Sequence, residues 1–372
     1  MTQGGKQGGG IMLISSASVE MLKIPVTDGY QAAGRAVDAN WHVLVRVRTA
    51  DGIEGVGYIV QPMGDLMQTI ASGAAELAEH LPGMDIRQPE AIWSALADRA
   101  SWVGPGGLLH WSLAPLDIAV WDALGKLLGQ PIFRLLGGYR SEVAAYASDR
   151  MWYSVPVDDL QGVVSNYAAA GYGGVKLRLS HTAPAAEQAE RVRAARDAAG
   201  PDVNVMVDAT LGWSYTQAVE TGRALQEAGA GWLEDPIDHR DYAGLAKLRD
   251  MFDMPVTGGE HYYTVAELRN CLEARALDVV ILDLARVGGI TPWRKMAALG
   301  EAFNVPVCGH VVPEVHVHLL ASVPAGDMVE YMPRSTEILR NMPVPSGGKM
   351  APLDAPGHGL ELDEGAVSRF RV

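Results

Sequence analysis

Short runs of apolar residues recur along the second half of the chain, from Val143 to Tyr331, and segments rich in Ala, Leu, Glu and Arg separate them. The spacing of about 25 residues is the length that a buried strand and its crossover helix require. An acidic or basic residue ends most of these runs. The pattern therefore predicts parallel strands closed into a (β/α) barrel, with the charged side chains at its C-terminal face, where active sites of that fold lie.

The first part of the chain alternates apolar and polar residues in short runs before helix-like patterns follow. Asp51-Gly52 between two such runs is a strong hairpin signal. Segment 27–40 has no periodicity and is predicted to be a loop. The predicted strands are 13–23, 41–49 and 53–59, and the predicted helices are 66–80, 89–100 and 113–128, the last ending at Gly129 as a helix C-cap. Strands followed by helices indicate an α+β domain.

These patterns divide the chain into four segments. Residues 1–10 are rich in Gly and Gln, lack the apolar core of a signal peptide and are predicted to be a disordered lead-in. The α+β domain is expected over 11–140 and the barrel over 141–340. Proline and glycine recur after the barrel, so residues 341–359 are predicted to be extended, and the segment 341–372 is predicted to return to the first domain.

Composition and charge narrow the range of partners. The net charge of −14 argues against nucleic acid or an anionic membrane as a partner. No apolar run approaches the roughly 18 to 20 residues that span a bilayer. Cys271 and Cys308 make no disulfide framework, which favours a cytoplasmic location. A small anionic ligand would need local positive charge against this background.

Three carboxylates end three consecutive predicted strands, Asp208, Glu234 and Glu260. Three anions that converge without a counter-ion repel one another strongly. A hard divalent cation resolves the conflict, and an all-oxygen donor set suits Mg²⁺ better than Zn²⁺. The alternative is that one or more of them pairs with a barrel lysine or caps a helix.

Further polar residues end the other strands. Lys176 and Arg178 are two apart on one strand and share a face, either as ion-pair partners of the carboxylates or as ligands of an anionic substrate. Asp283 and His310 end adjacent strands, and an aspartate that fixes an imidazole tautomer makes the histidine a candidate base. Glu330 ends the last strand, either as a hydrogen-bond partner of the substrate or in a salt bridge.

The order of these residues on successive strands resembles the enolase superfamily, and in particular its mandelate racemase subgroup. The similarity covers nearly the whole chain, and its further motifs are Leu116–Asp122, Leu135–Gly138, Arg286–Thr291 and Gly357–Leu360. The resemblance implies an α/β fold, a (β/α)7β modified TIM barrel with an N-terminal α+β capping domain that the C-terminal segment completes. It also implies a homo-oligomer, either a dimer or an octamer.

The resemblance also implies roles for individual residues. One Mg²⁺ per active site would be bound by Asp208, Glu234 and Glu260, and the catalytic set would be Lys176, Arg178, Asp283, His310 and Glu330. Asp283 and His310 would form the general-base dyad, and Lys176 and Glu330 would contact the substrate carboxylate. Capping-domain segments 27–40 and 58–64 would select the substrate, with Asp28, Tyr30 and Arg35 as candidates for which simple solvent exposure is an equal alternative.

Two positions depart from the pattern of this family. Arg178 stands where a lysine commonly acts as a base, and an arginine with a pKa above about 12 is a poor proton acceptor. Thr210 stands where relatives often carry asparagine after the first metal ligand. Because racemisation needs a base on each face of the substrate, Arg178 favours a reaction in which His310 alone takes the α-proton.

The predicted activity is the dehydration of an acid sugar, an aldarate or aldonate. Abstraction of the proton α to the carboxylate would give a metal-stabilised enediolate, and loss of the β-hydroxyl would give a 2-keto-3-deoxy acid. Segments Ile24–Asp28 and Pro313–Leu319 resemble acid-sugar dehydratases of the talarate/galactarate type. The alternatives are a racemase, an epimerase or a sugar-lactone cycloisomerase on the same scaffold, and a non-catalytic protein that binds the metal and a sugar acid.

Overall fold

The structure, a computed structural model, describes residues 12–32 and 35–372, so the predicted lead-in over 1–10 lies outside it. The first domain begins with an antiparallel sheet of three strands in the order β1-β2-β3. Its elements are β1 (Ile14–Ala32), β2 (Arg35–Thr49), β3 (Glu54–Gln61), α1 (Met67–Ala78), α2 (Pro89–Arg99), α3 (Leu108–Leu128) and α4 (Ile132–Leu135). Gly129 adopts a left-handed conformation (φ 64°) after α3, as predicted for the helix C-cap.

The predicted loop over 27–40 is wrong. β1 and β2 continue through it as a hairpin arm, in which Tyr30 pairs with Val37 and Gln31 pairs with Ala36. A shift in register separates this arm from the rest of the sheet between Pro25 and Tyr30. On the β2 side the arm has a buried face, since Val37 and Ala39 are buried and Asp38 between them is exposed. This alternation covers only a few residues, and residues 27–32 on the β1 side do not share it, so the sequence pattern did not identify a strand there.

The barrel occupies a stretch that the structure describes throughout. Its elements are β4 (Val143–Ala147), α5 (Val157–Ala169), β5 (Gly174–Arg178), α6 (Ala185–Ala199), β6 (Asn204–Asp208), α7 (Tyr215–Glu227), β7 (Leu233–Glu234), α8 (Tyr242–Met251), β8 (Val256–Gly258), α9 (Val265–Glu273), β9 (Val279–Asp283), α10 (Ile290–Ala302), β10 (Val307–His310), α11 (Pro313–Leu320) and β11 (Gly326–Tyr331). The eight strands are parallel and follow in sequence order, and β11 pairs with β4 to close the ring. The predicted (β/α)7β barrel is confirmed. None of the helices in the described ranges is long and apolar enough to cross a membrane.

The capping domain and the barrel are joined by two of the motifs that carry the family resemblance. The buried Asp117 accepts hydrogen bonds from the Thr291 amide (2.8 Å) and the Thr291 hydroxyl (2.7 Å). The same hydroxyl accepts the indole N–H of Trp121 at 2.9 Å. Gly289 adopts φ 108°, and a Cβ there would lie 2.5 Å from an Asp117 carboxylate oxygen. Only glycine therefore fits at this close approach, and the motifs fix the two domains together over the barrel mouth.

The C-terminal segment contacts both domains. Its strand β12 (Lys349–Met350) pairs antiparallel with β4 of the barrel, and α12 (Glu364–Phe370) follows. His358 is within hydrogen-bond distance of the Val56 carbonyl in the capping sheet (2.8 Å), and Arg371 forms a bridge with Leu22 of β1. The return of the segment to the capping domain is as predicted, and its pairing with the barrel is an addition that the sequence did not indicate.

Two buried histidines predict that the protein loses stability in mild acid. Burial lowers the pKa of both His42 and His318 to about 3. A histidine in the unfolded chain titrates near its ordinary pKa of 6.5, so the unfolded state binds more protons below that pH. Their contribution to stability is complete above pH 6.5 and is lost as the pH falls toward 3. At about pH 5.5 each should lower the free energy of unfolding by about 1.4 kcal/mol.

Urea unfolding of the wild type and of a His318→Gln variant at about pH 8 and about pH 5.5 measures this effect. We expect the wild type to lose about 1.4 kcal/mol more than the variant between the two conditions, because the variant lacks the titrating group of His318. An equal loss in both proteins would show that His318 does not stay neutral in the folded state.

Candidate active site

The C-terminal ends of the barrel strands and part of the capping domain enclose a pocket of about 480 Å³. Binding sites for small molecules commonly have this size. The capping domain contributes residues 60–63, within the predicted segment 58–64, and Trp152 follows β4. The predicted site residues that line the pocket are Arg178, Asp208, Glu260, Asp283 and His310. Lys176, Glu234 and Glu330 are fully buried behind this lining.

The structure brings the three predicted metal ligands to adjacent strands of the ring. Asp208 and Glu234 are register partners on β6 and β7, and Glu260 follows β8 after Gly259 (φ 115°). Each carboxylate faces a cation, with Lys176 Nζ 2.8 Å from Glu234, Arg178 Nε 3.0 Å from Asp208 and Arg286 Nη1 3.2 Å from Glu260. Burial raises the pKa of Glu234 to about 8, Lys176 opposes the shift, and the charges of Asp208 and Glu260 add to it.

The donor set suits a hard divalent cation. All the oxygens are carboxylate oxygens, and each has a second lone pair beyond its present contact. Burial is the main cause of the raised pKa of Glu234, and the charges of Asp208 and Glu260 add a repulsion that a cation would relieve. The donor atoms that lie within 4.8 Å of one another in the described part of the chain belong, however, to Asp235, Glu260 and His261. An imidazole donor suits softer metals, and His261 is 24% exposed, so this group fits Mg²⁺ less well than the predicted one.

The two cations that end β5 are held in a network of charges. Lys176 Nζ lies between Glu234 and Glu330, 3.0 Å from a Glu330 oxygen. Arg178 donates to Ser148 Oγ at 2.8 Å and lies 3.3 Å from Glu330. Burial would lower the pKa of Lys176, but Glu234 and Glu330 outweigh it and raise the pKa above the ordinary value. The ion-pair alternative left open by the sequence is therefore realised for both residues, and Arg178 also lines the pocket, whereas Lys176 is buried behind the lining.

His310 and Asp283 form the predicted dyad. His310 ends β10, Asp283 ends β9, and the two are register partners. His310 Nδ1 lies 2.6 Å from Asp283 Oδ2, and Nε2 lies 2.8 Å from Glu260 Oε2. Burial alone would lower the pKa of His310, but Glu260 and Asp283 raise it to about 10. The arrangement orients Nε2 toward the predicted metal ligands, and the imidazole can hold or release a proton at that atom.

Glu330 accepts hydrogen bonds from the residues around it. The Val311 amide donates to Oε2 at 3.0 Å, and Lys176 and Arg178 contact Oε1. Burial would raise the pKa of Glu330, but the cations, Lys176 first, lower it below the ordinary value. Glu330 is therefore an anion that forms ion pairs with both Lys176 and Arg178, and it does not itself line the pocket.

The predicted substrate-binding residues of the capping domain have different positions. Tyr30 stacks on Trp152, which lines the pocket, with ring centroids 4.3 Å apart. Arg35 pairs with Asp65 and is 58% exposed, and it does not border the pocket. The side chain of Asp28 lies outside the described residues. The structure therefore brings Tyr30 to the rim of the site but not Arg35.

Several residues at the pocket were not identified from the sequence as candidates for the site. His181 and Arg334 line it, three residues after Arg178 and four after Glu330 respectively. His181 Nε2 lies 2.7 Å from Thr210 Oγ1, so the unusual Thr210 has a partner in the structure. Their position in the sequence was the signal that could have identified them, because residues that follow a barrel strand by a few positions lie at the active-site face.

Comparison with protein families matches the two halves of the chain. Residues 16–137 match the mandelate racemase / muconate lactonizing enzyme N-terminal domain. Residues 159–366 match the enolase C-terminal domain-like family. The two matches correspond to the antiparallel-sheet domain and to most of the barrel with the C-terminal segment.

Individual relatives cover nearly the whole chain. The 3,6-anhydro-alpha-L-galactonate cycloisomerase of Streptomyces coelicolor is 32% identical over 97% of this chain and 100% of its own. The L-talarate/galactarate dehydratase of Salmonella typhimurium is 30% identical over 93% of this chain and 87% of its own. The solved structure of that dehydratase with Mg and L-lyxarohydroxamate superimposes with a TM-score of 0.93 at 28% identity, covering 100% of this chain and 96% of that chain.

Proposed function

The chain belongs to the mandelate racemase/muconate lactonizing enzyme family of the enolase superfamily, and from this we propose that it is a Mg²⁺-dependent acid-sugar dehydratase. The supporting observation is an asymmetry across the pocket. His310 ends β10, and Asp208 ends β6, four positions away on the eight-stranded ring. Arg178, which pairs with Asp208, ends β5, three positions from β10, and lines the same pocket as His310, but its guanidinium does not release a proton near neutral pH. A single dyad is suited to elimination rather than to a reaction that needs a base on each face.

Asp208, Glu234 and Glu260 would hold the Mg²⁺ through carboxylate oxygens. Bound there, the ion would supply Lewis-acid stabilisation of negative charge on the substrate carboxylate. The solved dehydratase structure contains Mg, and the all-oxygen donor set of this chain matches the preference of that ion. Engagement of Glu260 by a cation would also weaken its hold on His310 Nε2, which must be neutral to accept a proton.

Different residues of the chain then perform different steps of the reaction. His310 Nε2 takes the α-proton, so the Cα–H bond breaks and its electron pair forms an enediolate, whose charge the buried Lys176 helps to stabilise. The enediolate re-forms the carboxylate as the Cα–Cβ double bond develops and the Cβ–O bond breaks. His310 returns its proton to the departing hydroxyl, which leaves as water, and the enol becomes a 2-keto-3-deoxy acid. Asp283 keeps the imidazole in the required tautomer throughout.

Incubation of the purified protein with a panel of hexarates and hexonates and Mg²⁺ tests this proposal. We expect formation of a 2-keto acid that has lost one water, as detected by mass spectrometry, and loss of the activity when the metal is chelated. Parallel reactions in D₂O report proton abstraction by itself. Exchange of the α-hydrogen without dehydration would favour an epimerase, and neither exchange nor product across the panel would favour a non-catalytic binding protein.

Cycloisomerisation is the second candidate, since the Streptomyces coelicolor cycloisomerase is 32% identical over the whole of its length. It can begin with the same abstraction of an α-proton, but its product keeps the mass of the substrate. The same mass measurement, with sugar lactones and anhydro sugar acids in the panel, therefore separates it from dehydration.

An Arg178→Lys variant tests the role of a single base. Arg178 bonds to Asp208, Glu330 and Ser148 together, and lysine keeps the charge but not this forked geometry. We expect the rate of dehydration to fall by no more than about 10-fold, because lysine keeps the positive charge and the mechanism requires no proton transfer at this position. Steady-state kinetics on the best substrate of the panel measure this. Creation or complete loss of activity by this one change would contradict the single-base mechanism.

A further inference from the structure

Arg334 is a cation in the pocket wall that the dehydratase mechanism does not use. It follows β11 and lines the pocket together with Gln31 and Trp152. Within the described residues it forms no ion pair, although the protein carries a net charge of −14. Its Nε and Nη2 lie 3.2 and 2.9 Å from the sulfur of Met332, and Arg334 is close enough to the Tyr30 hydroxyl to oppose the rise that burial causes in the pKa of Tyr30.

The guanidinium has unused hydrogen-bonding capacity. Nη1 is buried and has no hydrogen-bond partner among the described residues. A thioether is a weak acceptor and carries no charge, so Met332 does not neutralise Arg334. Asp149 is close enough for Arg334 to oppose the rise that burial causes in its pKa, but Asp149 lies 3.6 Å from Arg150, its ion-pair partner. Buried polar groups without a partner are unfavourable and rare, so an anionic ligand is the natural partner.

Arg334 is not part of the charge network around the carboxylates. Glu330 on β11 joins that network through Lys176 and Arg178, but Arg334, four residues further along the chain, has no salt bridge to it among the described residues. The pocket wall thus carries a cation at Arg334 in addition to the site proposed for the metal. A ligand that satisfies both needs a negative charge at each end.

We propose that Arg334 binds the distal carboxylate of a dicarboxylic sugar acid, so that the preferred substrate is an aldarate rather than an aldonate. The inference rests on the proposed dehydratase function for the other end of the substrate. The planar guanidinium can donate two parallel hydrogen bonds to a carboxylate, a geometry that a terminal hydroxymethyl group cannot match. Gln31 and Ser154 line the same pocket and offer polar contacts to the carbon chain between the two ends.

A matched pair of substrates tests the assignment, namely a hexarate and the hexonate of the same configuration with a hydroxymethyl group in place of the distal carboxylate. In the wild type we expect kcat/KM to be at least about 100-fold higher for the diacid, because the monoacid leaves the buried Nη1 of Arg334 without a partner. In Arg334→Gln the ratio of the two values should fall by about 100-fold. Arg334→Lys, which keeps the charge but loses the planar guanidinium, should have a ratio between those of the wild type and Arg334→Gln.

Arg340→Gln is the matched control, since Arg340 is 59% exposed and lies 4.0 Å from Asp363 on the surface. Its diacid-to-monoacid ratio should equal that of the wild type. A wild type that prefers the monoacid, or an Arg334→Gln variant with an unchanged ratio, would overturn the assignment.

A direct measurement of binding distinguishes failure of the Arg334 assignment from failure of the dehydratase proposal. Titration calorimetry with the same two acids and Mg²⁺ measures recognition whether or not turnover follows. Tighter binding of the diacid that Arg334→Gln removes would support the distal site even if no acid is dehydrated, in which case the dehydratase proposal alone would fail. Equal affinity of the wild type for both acids would overturn the Arg334 assignment.

Discussion

A His310→Asn variant should lose dehydration and α-hydrogen exchange together. His310 Nε2 is the proposed acceptor of the α-proton, and asparagine cannot accept a proton near neutral pH. General acid–base catalysis contributes about 10²- to 10⁴-fold, so we expect kcat to fall by at least about 10³-fold. Rates of 2-keto acid formation and of deuterium incorporation in D₂O provide the two measurements.

The structure supplies the reason to expect both losses from one change. His310 is hydrogen-bonded to Asp283 at 2.6 Å, and Arg178, which also lines the pocket, does not release a proton near neutral pH. His80→Asn, in the turn after α1 of the capping domain, is a control that should keep both rates. Exchange that persists in His310→Asn while dehydration stops would mean that another group takes the α-proton and that His310 only delivers a proton to the leaving hydroxyl.

A Lys176→Met variant should lose stability as well as activity. Lys176 is fully buried and lies 2.8 Å from Glu234 and 3.0 Å from Glu330. Methionine has a similar length, but it leaves both carboxylates without this partner in a buried site. Removal of one partner from a buried ion pair lowers the free energy of unfolding by about 3 to 5 kcal/mol. The loss of charge at the enediolate should lower kcat by at least about 10²-fold.

Urea unfolding with and without Mg²⁺ measures the stability effect. In the variant the carboxylates repel one another because they have lost the lysine, and a bound cation would neutralise them. Mg²⁺ should therefore stabilise Lys176→Met more than the wild type. Lys349→Met is the matched control, because Lys349 pairs with Glu142 at the surface, where such pairs contribute about 0 to 1 kcal/mol. A stability loss no larger than in this control would show that Lys176 does not hold the carboxylate cluster together.

The predicted position of most site residues followed from one physical rule. Parallel strands of a barrel end at the same face, so residues that end successive apolar runs must converge. The register partners Asp208 with Glu234 and Asp283 with His310 show this directly. Their roles stay proposals, because convergence alone does not distinguish a metal ligand from an ion-pair partner, and the structure shows ion pairs at each carboxylate.

Residues outside the strands were harder to predict. Tyr30 reaches the site on the arm formed by β1 and β2, where it stacks on Trp152, and the alternation of buried and exposed residues in that arm is confined to a few positions of β2. Arg35, only five positions away, turns to Asp65 at the surface instead. Arg334 lies in an irregular segment after β11, where neither periodicity nor a turn motif indicates the direction of a side chain.

The sequence by itself determined the barrel, its order of strands and the family, because strand and helix periods and strand-end residues are local properties of the chain. The tertiary structure alone decided which charges face each other. Lys176, Glu234 and Glu330 come from three separate strands, and the packing of the segment after the last one places Arg334 in the pocket wall. Electrostatic interactions depend on distance and burial, and neither can be read from spacing along the chain.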